Sequence, residues 1–332
     1  MIARYIDIHV LQTVPYANLN RDDLGSPKTV RFGYTDRTRV SSQSWKRAVR
    51  EELESWCGNA AKRTRCLPQA VRERLTNRGW DRELADFAAA QVIATLSAIA
   101  GKDKAFKLDE KTGEAKVLFF LPERAFDELA DICVQQRDRL IGLRSGTIKI
   151  KKGEAALPAD PIKEVMLRRN EVINLFGRML AELPDANVDG AVQVAHAFTT
   201  HGTDPQVDFF TAVDDLKQDA EQLGSGHMDS AEFSTGTFYR YASLNLRDLV
   251  KNVGDAATAV ELTTAFLSTF ITAMPKAKKN STAPFTVPDL AYIAVRGDRP
   301  VSLASAFEAP VRATFDGGYA APSRRQLSDY AG

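Results

Sequence analysis

Ser41, Ser42 and Gln43 stand just ahead of Trp45, and Lys46 and Arg50 follow four apart. Residues 38–40 form a short extended run, and a helix is expected to start at Ser41 or Ser42. A serine hydroxyl there caps free backbone N–H groups. The open N–H groups and positive dipole end of a helix start favour anions. Lys46 and Arg50 share one helix face. Hydroxyls, the Gln43 amide and two cations thus converge, which is chemistry for holding a phosphate. An ordinary capped helix with a solvated basic face uses the same residue types, so both readings stand on this stretch alone.

Residues that break bonds are harder to find. A ribonuclease needs an acid and a base within reach, or a metal held by carboxylates. The four histidines are His9, His196, His201 and His227. His9 and His196 fall in strand patterns and are expected to be packed, while His201 and His227 fall in a polar excursion with no spacing that pairs them. Metalloprotease, P-loop and nucleophile-elbow motifs are absent. Asp22 and Asp23 suit a metal or, more ordinarily, the holding of their own loop. The chain is therefore expected not to be an enzyme and to carry no metal or cofactor. The alternative is a metal-dependent ribonuclease.

The elements that position these residues follow from periodicity. Residues 5–14 alternate and predict a half-buried strand. Residues 15–37 predict one long loop with Asn20, Arg21, Asp22 and Asp23 near its start. The helix from Ser42 is expected to run to about Cys57, with Gly58 as its C-cap and Trp45, Val49, Leu53 and Trp56 as its apolar stripe. Residues 59–185 are helix-rich, with stripes at 83–100, 123–141 and 161–183 and connections dotted with lysine, and predict a helical insertion. Strand pattern returns at 191–198. Residues 199–236 are polar and acidic yet hold Phe209 and Phe210, which suggests either a protruding ribbon with something to insert or a hairpin folded back on its domain. Strands at 238–246 and 290–296 flank a helix at 255–273. With the insertion and the excursion set aside, the order is strand, helix, strand, strand, helix, strand, the ferredoxin-like order of RNA-recognition folds. The aromatic RNA-binding signature of ordinary members is missing from the strands.

At 332 residues, with 44% hydrophobic and 26% charged residues, the chain is long enough for a full core and reads as globular. The net charge of +1 excludes a uniformly basic nucleic-acid binder, so such a role must rest on local charge. Residues 21–50 hold eight Lys/Arg against three Asp, whereas residues 205–235 hold seven Asp/Glu against Lys217. Such stretches can pair within one copy or between copies. Three cysteines, Cys57, Cys66 and Cys133, with no C-x-x-C pair, speak against a disulfide framework or zinc knuckle and fit a reducing cytoplasm. The N-terminus enters a strand pattern at once, so no leader is expected, and no run approaches the ~20 apolar residues of a membrane span.

Several motifs together resemble one family. They are Asn-Arg-Asp-Asp at 20–23, Arg-Val-Ser-Ser-Gln-Ser at 39–44 with Lys46-Arg47-Ala48, Phe-Gly-Arg-Met at 176–179, residues 195–201, and Asp-Phe-Phe-Thr-Ala-Val-Asp-Asp-Leu at 208–216. Residues 233–245, with Phe-Tyr-Arg-Tyr at 238–241, and residues 304–307 continue the series. The set is similar to the CasC-type repeated backbone subunit of the type I-E CRISPR surveillance complex, Cascade, of the RAMP superfamily. The similarity runs from the first strand to about residue 310. It is weakest in the helical block and in the tail, where it suggests that a terminal helix is missing.

The resemblance implies an α+β, hand-like subunit. Its ferredoxin-like (RRM-like) palm would comprise 1–58, 186–198 and 237–332, its helical fingers 59–185, and its thumb hairpin 199–236. Copies would stack head to tail along a CRISPR guide RNA, with target DNA and the large, small and guide-end capping subunits as further partners, and no membrane. By the motif match, Arg21, Lys28, Ser41, Gln43, Lys46 and Arg50 fall on guide-backbone contacts. Phe209, Phe210, Thr211 and Met228 fall on the thumb that wedges the guide–target duplex, and Met179 near the same kink. Related subunits in type III complexes cut RNA with a loop aspartate, the form the alternative would take. The type I-E subfamily leaves DNA degradation to a recruited helicase-nuclease.

Overall fold

The computed structural model describes residues 3–101, 106–151, 154–211, 228–315 and 317–332. The chain divides into two compact units. One comprises Met1–Leu53, Val192–Arg247 and Ala256–Gly332; the other comprises Glu54–Ala191 and Asp248–Asp255. The fold is mixed α+β with an antiparallel sheet.

The first unit is built on β1 (Tyr5–Ala17), β2 (Thr29–Phe32), β3 (Thr35–Val40), β6 (Val192–Val194), β7 (Ala197–Thr199), β8 (Gln206–Thr211), β9 (Met228–Asn245) and β10 (Leu290–Arg296). β4 (Ala61–Thr64) and β5 (Phe119–Pro122) belong to the other unit. The strand order is β10-β1-β9-β7-β3-β2, and β6 and β8 also pair with β9. β1 sits between β10 and β9, antiparallel to both: Ile8 lies opposite Ile293 on one side and Ala242 on the other. Between β1 and the β6–β7 strands runs α1 (Ser42–Cys57), and between β9 and β10 lies a helix over Ala256–Thr272. With β6 and β7 as one strand, this is the β-α-β-β-α-β connectivity of ferredoxin-like chains.

α1 packs through Trp45, Ala48, Val49 and Leu53. The Arg240 guanidinium lies over the Trp45 ring at 3.8 Å. Arg240 is itself buried and donates to Gln12 and to the Phe270 carbonyl. Burial pushes its pKa down to about 9. One side chain thus ties β9 to α1, to β1 and to the end of the helix Ala256–Thr272.

The second unit packs α2 (Leu67–Asn77), α3 (Arg82–Ala100), α4 (Arg124–Gln135), α5 (Arg137–Ser145), α6 (Ala159–Leu167) and α7 (Glu171–Phe176), with α8 (Leu246–Val253) running into it from the first. Asp81 caps α3 by accepting the Leu84 amide at 2.8 Å, and Asn170 caps α7 by accepting the Ile173 amide at 3.1 Å. α9 (Ala256–Thr272), α10 (Lys279–Thr282) and α11 (Ala320–Ala331) complete the helices, which number eleven among the described residues.

Several expectations change. β1 is buried on both faces through most of its length rather than on one, because Val14 packs with Trp45 and Met274 while Leu11 packs with Leu303, Phe307 and Leu327. The loop expected over 15–37 contains the β2–β3 hairpin, whose turn residues Gly33 and Tyr34 both have positive φ. The strand expected over 191–198 is two short strands. The helical block holds the β4–β5 ribbon, and its stripes at 123–141 and 161–183 break into separate helices, α4 with α5 and α6 with α7. Trp56, placed on the α1 stripe, is largely exposed, and Ala48 packs instead. α11 supplies the terminal helix that the family resemblance suggested was missing; its Leu327 packs among Leu11, Tyr239 and Phe307. α3, with mean hydropathy 1.3, is long and apolar enough to cross a membrane. Its Leu84, Ala88, Val92 and Leu96 instead pack into the core of the second unit.

Candidate nucleic-acid interface

The start of α1 is held by three side chains. The Ser41 hydroxyl accepts the Ser44 amide at 3.3 Å, and the Ser41 carbonyl accepts the amides of Ser44 and Trp45. The Ser41 amide donates to Asn20 Oδ1 at 2.8 Å. The Ser42 amide donates to His196 Nδ1 at 2.8 Å. The Gln43 N–H is thereby the first-turn amide left without a protein acceptor among the described residues, and the Gln43 side chain is exposed beside it.

Asn20 brings the preceding loop to the same place. Its carbonyl accepts the Lys28 amide at 2.9 Å, and the Lys28 carbonyl accepts the Arg39 amide at 2.7 Å. Arg21 pairs with Pro27 across the loop. Asp22 holds the turn between them, its carboxylate accepting the amides of Leu24 and Ser26 at 2.9 Å each. Arg21, Lys28, Ser41, Gln43 and Lys46 are therefore gathered around one corner, and Arg50 lies one turn further along α1 from Lys46. Arg21, Lys28, Arg39 and Lys46 have no carboxylate partner among the described residues. Two other basic residues of the stretch are committed elsewhere. Arg37 is buried, donating to the carbonyls of Thr199 and Phe307 at 2.9 Å, and Arg47 pairs with Glu51.

His196 corrects the expectation of a packed residue: it is exposed, in the short break between β6 and β7. Desolvation, then the charges of Arg39 and Lys46, hold its pKa below the ordinary histidine value. The neutral ring is the form that can accept from Ser42 at Nδ1, which leaves Nε2–H as a donor. His201 moves the other way. Placed by sequence on the excursion, it is buried, stacks on Tyr319 at 3.5 Å and accepts the Thr237 amide at Nε2. His227 lies outside the described residues.

β8 and β9 form a ribbon pairing Gln206 with Phe233 and Thr211 with Met228. Asn18 fastens its base, donating to the carbonyls of Glu232 and Gly25. Phe209 and Phe210 are neighbours on β8 and so face opposite ways. Phe209 is 72% exposed and Phe210 46%. Residues 212–227, with the acidic positions 214, 215, 219 and 221, lie outside the described residues, and of Thr211 and Met228 only the backbone pairing is described. The lysines at 102, 104 and 152 are likewise outside them.

Met179 lies in the second unit and is 84% exposed. Its neighbour Arg178 is buried and donates to the carbonyls of Ala186 and Arg168. Gly177, at φ +80°, allows this: a Cβ there would come within 2.7 Å of the Gly190 amide and the Val188 carbonyl. A fixed backbone thus presents the Met179 side chain outward.

Nucleic-acid backbones are held by such groups: cations, hydroxyls, side-chain amides and helix-start N–H groups. Asn20 and His196 were not assigned by sequence. Asn20 opens the Asn-Arg-Asp-Asp motif, and its position ahead of two charged residues was the available signal. Nothing local marks His196.

The profile of CT1975-like proteins matches residues 6–332. One solved structure, titled a CRISPR RNA-guided surveillance complex, pre-nicking, has a chain 50% identical, at TM-score 0.90, with 98% of this chain and 87% of that one covered. A second, titled a CRISPR RNA-guided surveillance complex, has one 45% identical, at TM-score 0.79, with 98% and 86% covered. Among curated proteins no match is found.

Proposed function

The chain belongs to the CT1975-like protein family, and on that footing we propose that it is a non-catalytic backbone subunit of a type I-E CRISPR surveillance complex in the cytoplasm. It holds the guide RNA by its phosphates, without regard to sequence, and presents the bases for pairing with target DNA in antiviral defence. Copies add head to tail along the guide, beside the other subunits of the complex. The observation that carries this reading is the 50% identity, over 98% of the chain, to a chain of an RNA-guided surveillance complex.

The α1 corner supports it physically. A guide of arbitrary sequence needs contacts that carry no sequence information, and those made to phosphate and sugar carry none. Base pairing then reads the target while protein holds shape. In the palm of this subunit, Arg21, Lys28, Ser41, Gln43, Lys46 and Arg50 contact the guide backbone. The ribbon is a thumb whose Phe209 and Phe210, with Thr211 and Met228, interrupt the guide–target duplex; Met179, on the fingers, serves the same kink. Asp22 holds its loop and has no part in cleavage.

The Lys46→Ala/Arg50→Ala variant tests the reading. Guide affinity should fall equally for unrelated guide sequences, and the log–log dependence on salt should become shallower by about 0.7 for every phosphate no longer neutralised, the single-strand value. Weakening confined to particular sequences, or an unchanged slope, would sink the phosphate-cradle reading.

A further inference from the structure

The sheet of the first unit ends on β10 at one side and on β2 at the other, and the two edges are finished differently. β2 is four residues long, carries Arg31 and follows Lys28. A short edge strand with cations resists pairing with a second chain. β10 is seven residues long, and Leu290–Val295 hold no charge and no proline. Its inner side pairs with β1. Its outer side pairs with no strand among the described residues.

The exposed side chains along this edge are apolar. Tyr292, Ile293 and Val295 are 38%, 43% and 61% exposed. The segment before the strand continues the surface. Gln12 holds it by donating to the Thr286 carbonyl at 2.8 Å, while Phe285 and Val287 on either side stay exposed. The charges that bracket the strand are neutralised within the chain: Arg296 pairs with Asp7 at 2.9 Å, and Asp289 with Arg324 at 3.5 Å. An uncharged, apolar strand edge of this length, with open backbone groups, is a template for another strand.

The strand is its own complement. Residues directly opposite each other in an antiparallel pair lie on one face with Cβ atoms about 4.5–5.5 Å apart. Tyr292 lies opposite His9 and stacks on its ring, so Ala291, Ile293 and Val295 share the other face. Ile293 is the middle of the seven residues, and only a register centred on it pairs them all. That register sets Ile293 against Ile293, Val295 against Ala291, Tyr292 against Ala294 and Arg296 against Leu290. The large side chains on the flanks of the axis meet small ones, and no like charges face each other.

We propose that β10 is a docking edge for a second copy of this chain. In the RNA-free protein two copies pair antiparallel through Leu290–Arg296, about a two-fold axis at Ile293, and join their sheets into one. Such a contact is isologous and closes at two copies. It is therefore distinct from the contact proposed above for copies along RNA, which repeats without closing.

Full-length protein free of nucleic acid is sedimented over a concentration series beside Ile293→Lys, Ile293→Glu and Val295→Lys, and the circular dichroism of each is compared. The wild-type mass should rise to that of two 36.6 kDa chains and no further. Each Ile293 variant should stay a single chain, because it sets like charges face to face across the axis. An equal mixture of the two should pair again, because lysine then faces glutamate. Val295→Lys, at the more exposed position, should weaken pairing while keeping the wild-type circular dichroism. A wild-type protein that is one chain at every concentration overturns the proposal. So do pairs that survive Ile293→Lys or Val295→Lys, a mass that grows past two chains, or a lysine–glutamate mixture that stays unpaired. No RNA enters this experiment, so its failure leaves the guide-binding reading standing.

Discussion

His9 lies at the centre of the sheet, fully buried, and its Nδ1 shares a hydrogen bond with the Tyr239 hydroxyl at 2.9 Å. Its ring stacks with those of Tyr239, Tyr241 and Tyr292. Desolvation lowers its pKa from 6.5 to about 4, the nearby Asp7 opposing and Arg296 assisting. His196 and His201 shift in the same direction, also chiefly by desolvation. The unfolded chain therefore takes up protons near pH 6.5, where the folded chain does not. Stability is full above that pH and is lost as the pH falls toward 4, with His9 alone accounting for something on the order of 3 kcal/mol. Melting temperature should fall on acidification from about pH 7.5 to about pH 5, and His9→Gln should flatten that fall. A melting temperature constant over this range would contradict the burial of a neutral His9. The packed fate of His9 was legible in its strand pattern. That of His201 was not, because its partner Tyr319 is more than a hundred residues away and a polar neighbourhood hides it.

At the scale of elements, the ribbon β8–β9 makes the sharpest separation between packing and function. Phe209 and Phe210 are exposed on it, so they contribute little to the fold of the free chain. Phe210→Ala, alone or with Phe209→Ala, should leave the melting temperature of the free protein nearly unchanged and spare guide binding. Stable target-DNA capture should suffer, because stacking on a base is worth about 1–3 kcal/mol and the deficit recurs in every copy. A large drop in melting temperature with an unchanged target off-rate would mean that the rings are packing residues. The strands and helices of the first unit were readable where their periodicity is strong, as in β1, α1, β10 and the helix Ala256–Thr272. The β2–β3 hairpin was not, since Thr29–Phe32 and Thr35–Val40 are short and polar and Gly33-Tyr34 is no standard turn pair. In the second unit, short breaks such as Gln136 between α4 and α5 interrupt apolar stripes that otherwise continue. The α1 corner was legible as residue types and spacing. What joins it, Asn20 to Ser41 and His196 to Ser42, depends on pairs 21 and 154 residues apart.

At the scale of the whole molecule, a net charge of +1 hides a basic corner and an acidic stretch that suit a heterologous contact, one that repeats along a line without closing. Binding through phosphates and stacking copy on copy are two parts of one claim, that this is a repeated, sequence-indifferent backbone on RNA. The most direct measurement is the mass of the assembly formed with single-stranded RNAs of increasing length, each made in two unrelated sequences, with the RNA recovered and sized afterwards. The account predicts mass rising in equal steps of one 36.6 kDa chain, the same steps for both sequences, and RNA recovered intact with or without divalent metal. One copy bound whatever the length, steps that depend on sequence, or RNA shortened by the protein would contradict it.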